Sequence, residues 1–480
     1  MGAEETEDDG VSGDETPGDA GPTADAFVPG GVGDLVEYVA SVDTEVLLLR
    51  RTGGDRRGEL VVDVAPVPAG VRTDVAPAVD VWCLNAGPPV ASPVPLAEIE
   101  SIRPVPDAET ATAALPADPR ARAAVLRELA SRDPTLVDVA VVLPALDRRA
   151  SADRGLVIDA LGCLTSVAHE RPDDCVAAVP QVRTLVSETV DREVRTGGLA
   201  YLAALAATRP EEVAPHVAVA TPSLDATDPA EATAAVACVS HVAGAEPGAV
   251  VDCVADLVAM LDTDDSERRM RAAYAIGRVA VVDPAAVRTA VPRLVATVAD
   301  QRARTATRLN ATCAVGRVVG DRPAAVVDHL PTFVDTLCHG DAGLRANAAG
   351  VVGDLAATHA VDVRRHVAPL VARLDDEDEV VRVNGSTALA RVAREFPEAV
   401  AEHVAALIDG LDDEASVVRE NVCWSLGYLR GRARTARPPL ERVRAGDADG
   451  RVRDRACWAL DRVEGGADGD ADHDGVGIGD

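Results

Sequence analysis

Arginine, tryptophan and tyrosine side chains recur at intervals of about 37 residues in the C-terminal half of this 480-residue chain. These residue types dominate binding energy at protein interfaces, because each combines a large contact area with hydrogen-bonding groups. The chain has only ten aromatic residues, so three of them on one predicted helix face favour a binding surface. The candidate partner-binding residues are Tyr274, Arg278, Arg317, Arg391, Trp424, Tyr428, Trp458 and Arg462. The structural alternative is that these rings and guanidinium groups fill gaps between adjacent helices.

A second set of polar residues has the same period, and we interpret it as structural. The set consists of pairs, one in each repeat, in which an arginine is followed two residues later by an asparagine. Such side chains can hydrogen-bond to neighbouring turns and cap helices. The predicted ladder comprises Arg308, Asn310, Arg345, Asn347, Arg382, Asn384, Arg419 and Asn421. A ligand-binding role for this set is the alternative.

The elements that position both sets are predicted from a recurring apolar signature. Each copy has an apolar anchor followed three and four positions later by Leu or Val and usually Ala. The anchors are Leu126, Leu164, Leu202, Val239, Ile276, Val315, Val352, Leu389, Leu426 and Leu460. Fixed self-similarity at this period indicates stacked two-helix units, each burying its apolar face against its neighbours. With the anchor buried, positions two before and two after it should face away from the core.

Proline marks where one predicted unit ends and the next begins. It stands eight positions after the anchor in seven of the first eight units, where it suits the first turn of a helix. The seven are Pro134, Pro172, Pro210, Pro247, Pro284, Pro323 and Pro397. Pro292, Pro331 and Pro369 form a second set, predicted to fall within the first helix of a unit and bend it.

The array resembles HEAT repeats. In the HEAT pattern, an Asp at the turn between the two helices precedes an Arg by six positions. Three units have this spacing: Asp376 and Arg382, Asp413 and Arg419, Asp447 and Arg453. The resemblance implies a mainly α fold, a HEAT-type α-solenoid superhelix of about ten helix pairs over residues 110–463. It also implies that the second helices line a concave side.

The remaining segments have other compositions. Residues 27–105 are predicted to form a small α+β or β-barrel module, with a helix at Val32–Ser41 and strands at Glu45–Arg51, Glu59–Val64 and Val79–Leu84. Val94–Pro104 could add another strand, and Thr52–Asp55 has the composition of a hairpin turn. Residues 1–25 and 464–480 are predicted to be acidic, disordered tails.

Composition limits the compartment and the partners. The formal net charge is −32, and the basic residues are all arginine, a balance that resembles adaptation to a salt-rich cytoplasm. This charge argues against general nucleic-acid binding, which needs a basic footprint. Nine dispersed cysteines indicate a reducing compartment. We found no signal peptide and no apolar run long enough to span a membrane, so a cytoplasmic location is expected.

The main hypothesis is a non-enzymatic scaffold that binds a protein partner on its concave face. No metal, cofactor or catalytic site is predicted: only His169-Glu170 forms a His-Glu pair, and no Walker loop, GxSxG or HExxH motif is present. One alternative is a nucleic-acid-associated HEAT protein of the repair or chromosome-maintenance type. Another is a HEAT-type enzyme or enzyme subunit, similar to phycobilin lyases or to the di-iron deoxyhypusine hydroxylase.

Overall fold

The computed structural model describes residues 26–42, 44–52, 58–67, 78–84, 89–147 and 153–465. The predicted tail at 1–25, most of the tail at 464–480 and the predicted hairpin turn at 53–55 lie outside these residues. The chain divides into two compact units, residues 1–171 and residues 172–480.

The first unit begins with one helix and a five-stranded antiparallel sheet, so the α+β alternative is confirmed. Helix α1 spans Val32–Ser41, and the sheet has the order β4-β3-β2-β1-β5. The strands are β1 Leu47–Arg51, β2 Glu59–Pro66, β3 Ala78–Cys83, β4 Val90–Pro95 and β5 Ile99–Pro104. Alternate residues of β3 are buried, together with Leu35 of α1, so one face of the sheet forms the core of this module.

The predicted single strand at Val94–Pro104 is wrong. A 3-10 turn at Leu96–Glu98 separates β4 from β5, which lie at opposite ends of the strand order. Pro93 and Pro95 explain the position of β4, because a proline has no N–H to donate and is tolerated on an edge strand.

Ten long helices follow the sheet in the sequence, one for each predicted anchor. We number the repeats 1–10 by these second helices. They are Pro119–Arg132, Arg154–Glu170, Arg192–Ala206, Pro229–Ala245, Ser266–Val282, Thr305–Asp321, Ala342–Thr358, Glu379–Glu395, Ser416–Leu429 and Gly450–Glu464. Repeats 1 and 2 belong to the first unit and repeats 3–10 to the second. All ten anchors are at most 3% exposed, which confirms the helical phase and the helical solenoid.

The first helix of most repeats is broken into short α and 3-10 segments. Those of repeats 1–5 are Ala108–Ala113; Pro134–Leu136, Val139–Val142 and Leu143–Leu146; Pro172–Cys175, Val176–Ala178 and Val179–Glu188; Pro210–Val213 and Ala214–Ser223; Pro247–Cys253 and Val254–Met260. Those of repeats 6–8 are Pro284–Val287, Arg288–Ala290 and Val291–Ala299; Pro323–Ala325, Val327–His329 and Leu330–Thr336; Ala360–Val363, Arg364–His366 and Val367–Val371. Those of repeats 9 and 10 are Pro397–Val400, Ala401–His403, Val404–Asp409 and Gly410–Asp412; Arg430–Ala436 and Arg437–Gly446.

Proline positions these breaks. Each of the seven predicted boundary prolines is the first residue of a helical segment. Pro292 and Pro331 stand in the first turn of an α segment that follows a 3-10 turn, where the missing N–H leaves no hydrogen bond unmade. The first helices are therefore interrupted, and the long second helices form the regular layer of the solenoid.

Candidate functional site

An arginine–aspartate ladder aligns the second helices of repeats 7–10. The Arg382 guanidinium donates to both carboxylate oxygens of Asp413 in the next repeat, at 2.7 and 3.3 Å. Its Nη1 donates at 2.9 Å to the backbone carbonyl of Asp376 in its own repeat. Arg345 and Arg419 bond in the same way to Asp376 and Asp447, respectively. Each aspartate is thus held by the preceding repeat.

Burial and hydrogen bonding shift the pKa values of these carboxylates in opposite directions. Hydrogen bonds from Arg419 lower the pKa of Asp447 below its ordinary value, although burial acts to raise it. Burial also acts to raise the pKa of Asp376, but hydrogen bonds from Arg345 and from the backbone N–H of Asp378 outweigh it. Both carboxylates are therefore held in the charged form that the arginines need.

Earlier repeats have variants of the same contact. Arg269 bonds Asp300 at 2.8 Å, and the Nη1 of Arg308 lies 2.9 Å from the Nε2 of His339, which occupies the aspartate position of repeat 7. Of the asparagines, Asn384 donates to the carbonyl of Ala346 at 2.9 Å. Asn421 donates to Ser386 and Thr387, and Asn347 to the sulfur of Cys313. These three asparagines thus bind the preceding repeat, and no hydrogen bond of the Asn310 side chain is seen within the described residues.

The second helices of repeats 7–10 line an open groove of about 710 Å³, which we call the C-terminal groove. Its lining residues are Gly350, Gly353, Asp354, Val383, Asn384, Thr387, Arg391, Val417, Glu420, Asn421, Trp424, Arg451, Asp454 and Arg455. Glycines of repeat 7 lie at one end of the groove, and charged residues of repeat 10 lie at the other. Two of the predicted partner-binding residues, Arg391 and Trp424, line it.

The charges of the groove balance one another. Three carboxylates, those of Asp354, Glu420 and Asp454, face three arginines. Arg391 bonds Asp354 at 3.1 Å and also donates at 2.8 Å to the carbonyl of Gly353. Arg391 was expected to be exposed, but its side chain is only 15% exposed because of these contacts. The groove as a whole therefore favours neither a polyanion nor a polycation.

The predicted exposure of Trp424 is wrong, because this residue is only 3% exposed. Its ring stacks on Tyr428, with centroids 5.6 Å apart, and meets Trp458 of repeat 10 edge to face at 4.6 Å. The guanidinium of Arg455 lies 3.3 Å from its centroid. Position −2 from the anchor is therefore covered here by the next repeat. Tyr428, Trp458 and Arg462, which lies 4.6 Å from the Trp458 centroid, are half-buried in the same cluster.

The remaining candidates are not part of this cluster. Tyr274 and Arg278 belong to repeat 5, where Tyr274 is 38% exposed and Arg278 donates to the carbonyl of Gly244 at 3.0 Å. Arg317 is exposed on repeat 6. The eight predicted binding residues therefore divide between the C-terminal groove with its aromatic cluster and separate positions on repeats 5 and 6.

Sequence reasoning missed Arg455, which covers Trp424 and pairs with Glu420 at 3.9 Å. A signal for it was present. Repeats 6–9 each have an asparagine five positions before the anchor, and repeat 10 has Arg455 at that position. Val417, which is 44% exposed in the groove, was also missed, because it stands neither two positions before nor two positions after the anchor.

A family model described as HEAT repeats matches residues 367–461. The C-terminal part of this chain is therefore a HEAT-repeat array. The matched HEAT repeats include most of the C-terminal groove. A crystal structure of an engineered protein from the Northeast Structural Genomics Consortium is similar to the chain, with a TM-score of 0.65 and 21% sequence identity; the alignment covers 75% of this chain and 99% of that one. This likeness shows the fold of the HEAT array. None of the curated proteins compared with the chain matches it.

Two further properties concern the residues that the structure describes. Within them, no group of three or more His, Cys, Asp or Glu side chains could hold a metal ion. None of their helices is long and apolar enough to cross a membrane. Behind the groove, burial raises the pKa of the Cys423 thiol to about 12, so this thiol stays neutral.

Proposed function

We propose that this HEAT-repeat protein is a non-enzymatic scaffold that binds an extended segment of a protein partner in the C-terminal groove. The observation that carries the proposal is the continuity of the groove across four consecutive second helices. The resemblance to HEAT repeats implies that these helices line the concave side of the solenoid.

The length of the groove favours a polypeptide over a small molecule. Neighbouring packed helices are roughly 8–10 Å apart, so three steps from repeat 7 to repeat 10 extend over about 24–30 Å. An extended chain rises about 3.3 Å per residue, so a segment of about eight residues would match this distance.

The surface chemistry of the groove supports the same partner. Val417 offers exposed apolar area, Thr387 and Asp454 offer polar groups, and the charges of both signs are balanced. A central apolar contact with a polar rim is typical of protein interfaces. A nucleic-acid ligand would instead need an excess of positive charge in the groove.

A matched pair of valines tests the proposal. Val417 and Val380 occupy the same position in repeats 9 and 8, and both are exposed, by 44% and 56%. Of the two, Val417 lines the groove. A photo-crosslinking residue at Thr387 would capture the partner of the full chain in its native cell, for identification by mass spectrometry. We expect Val417→Asp to abolish capture and Val380→Asp to leave it unchanged.

Circular dichroism of both variants should match the wild type, because exposed substitutions usually cost less than about 0.5 kcal/mol. If Val417→Asp folds and captures the same partner as efficiently as Val380→Asp, the partner does not use the groove. If the captured molecule is nucleic acid, the proposal fails. We further propose a cytoplasmic location and adaptation to high salt, on the basis of the free cysteines and the net charge of −32.

A further inference from the structure

The first-helix segments of repeats 9 and 10 carry opposite charge. Residues 396–418, which include the first segments of repeat 9, contain no basic residue other than His403. Four acidic side chains there are exposed and make no ion pair within the described part of the chain: Glu398, Glu402, Asp409 and Asp412. This surface of repeat 9 is therefore acidic and unneutralised.

Repeat 10 presents the reverse. Residues 430–444 hold six arginines and one glutamate, in a chain whose net charge is −32. Arg437 pairs with Glu441 at 3.1 Å and with Glu464 at 2.8 Å. Four other arginines are exposed and have no ion-pair partner among the described residues: Arg432, Arg434, Arg442 and Arg444.

These two surfaces are adjacent in the same layer of the solenoid. The segment Val404–Asp409 packs against Arg430–Ala436, and Gly410–Asp412 packs against Arg437–Gly446. Nevertheless, the four acids and four arginines are not paired with one another. A sharp boundary between negative and positive charge therefore lies on the first-helix side of repeats 9 and 10.

We propose that this boundary is a self-complementary interface between two copies of the chain. In a two-fold symmetric dimer, each contact occurs twice: if one surface of the first copy contacts another surface of the second copy, the reverse contact also forms. Two copies related by such an axis can place the acidic segments of repeat 9 on the arginines of repeat 10, and the arginines on the acids. Arginine suits this role because its guanidinium can bond a carboxylate with two parallel hydrogen bonds.

The arrangement of charge favours a second copy of the chain over a partner that carries negative charge alone. A long polyanion seated on the four arginines would run into the unpaired carboxylates of repeat 9 and be repelled. A short acidic peptide would neutralise the arginines and leave those carboxylates unpaired. A second copy is the occupant that neutralises both surfaces at once.

The interface would leave the C-terminal groove open, because the groove is lined by second helices and the charged boundary lies on first helices. The dimer itself does not depend on the proposed function. If that function holds, the dimer carries two grooves and binds a partner with two copies of its segment more tightly than one chain does.

Charge reversal on each surface provides the test. One full-length variant carries Glu398→Arg and Glu402→Arg, and the other carries Arg432→Glu and Arg434→Glu. Sedimentation velocity of the wild type should show a dimer at about 0.1 M salt, where the Debye length is about 10 Å. Each variant alone should dissociate at least about tenfold more readily, because like charges then meet at the interface.

The mixture of the two variants is the decisive sample. It should form a dimer with an affinity within about threefold of the wild type, because each contact again joins opposite charges. A control with Arg288→Glu and Arg365→Glu makes the same change in net charge as the arginine variant, but at exposed arginines of repeats 6 and 8, and should leave the dimer unchanged.

Three results would overturn the inference. The wild type could remain a monomer up to about 100 µM, a range that includes weak complexes. Both variants could dimerise as well as the wild type, which would place the interface elsewhere. Finally, the mixture could fail to dimerise although each folds normally by circular dichroism, which would mean that the charged surfaces do not face one another.

Discussion

Arg345 of repeat 7 and Asp376 of repeat 8 form an ion pair with two hydrogen bonds, from Nε to Oδ2 at 2.8 Å and from Nη2 to Oδ1 at 2.7 Å. Asp376 also accepts hydrogen bonds from Arg373 and from the backbone N–H of Asp378. One carboxylate therefore fixes the turn between the two helices of repeat 8 and joins that repeat to repeat 7.

We expect Asp376→Ala to lower the free energy of unfolding by about 2–4 kcal/mol, because it removes the carboxylate that two largely buried guanidinium groups share. Chemical denaturation followed by circular dichroism would measure the change. Asp375→Ala is the control, since Asp375 is exposed and unpaired within the described residues, and it should cost less than about 0.5 kcal/mol. Equal losses would contradict a special role for the ladder.

The ladder also predicts how stability responds to acid. The pKa of Asp447 is lower in the folded chain than its ordinary value of 3.8, mainly through hydrogen bonds from Arg419. A carboxylate with a lowered pKa stabilises the fold at pH values above its ordinary pKa, and this contribution is lost as pH falls through the folded pKa. The difference in unfolding free energy between the wild type and Asp447→Asn should therefore be constant at neutral pH and shrink below about pH 4. A difference that does not change between pH 7 and pH 2.5 would contradict this linkage.

The architecture of the repeats follows from local patterns. Leu389 and Leu426 are buried because helical periodicity fixes which face of a second helix meets its neighbours, and this periodicity is visible in the sequence. Boundary prolines such as Pro284 are equally local signals. The division of residues 90–104 into two strands was not predicted, because it depends on how Pro95 and the following 3-10 turn fit the sheet.

The site was less predictable, because it depends on side chains that meet from different repeats. The phase of Trp424 was derived from its own helix, but its burial depends on Arg455 and Trp458, which lie more than 30 residues later. The sequence identified Arg391, but it could not show that this side chain would turn towards the carbonyl of Gly353. Helix phase thus predicts which side a residue is on, and packing decides whether it is accessible.

Arg430 offers a test of backbone strain at the start of repeat 10. It follows the second helix of repeat 9 with φ 52° and ψ −137°, and it is the one non-glycine residue with positive φ among the described residues. Such a conformation costs about 1–3 kcal/mol for a residue with a Cβ and little for glycine. We expect Arg430→Gly to raise the free energy of unfolding by about 1 kcal/mol.

The control for this substitution is Thr435→Gly, in the same 3-10 segment and exposed. Its φ is negative, so glycine brings no relief there and should destabilise the chain by about 0.5–1 kcal/mol through its greater freedom in the unfolded state. Thermal midpoints of the two variants should therefore move in opposite directions. If both fall, Arg430 is not strained.

A comparison of Trp424 with Tyr274 tests whether a ring at this position stabilises the fold by packing between repeats. Both stand two positions before the anchor of their repeats, but Trp424 is 3% exposed and Tyr274 is 38% exposed. We expect Trp424→Ala to lower the free energy of unfolding by about 3–5 kcal/mol, because it empties the space between repeats 9 and 10 and removes the ring beneath Arg455. Tyr274→Ala should cost less than about 1.5 kcal/mol, because its ring is partly in water already. Denaturation of the two variants under identical salt conditions provides the comparison, and equal costs would show that the Trp424 ring does not hold these repeats together.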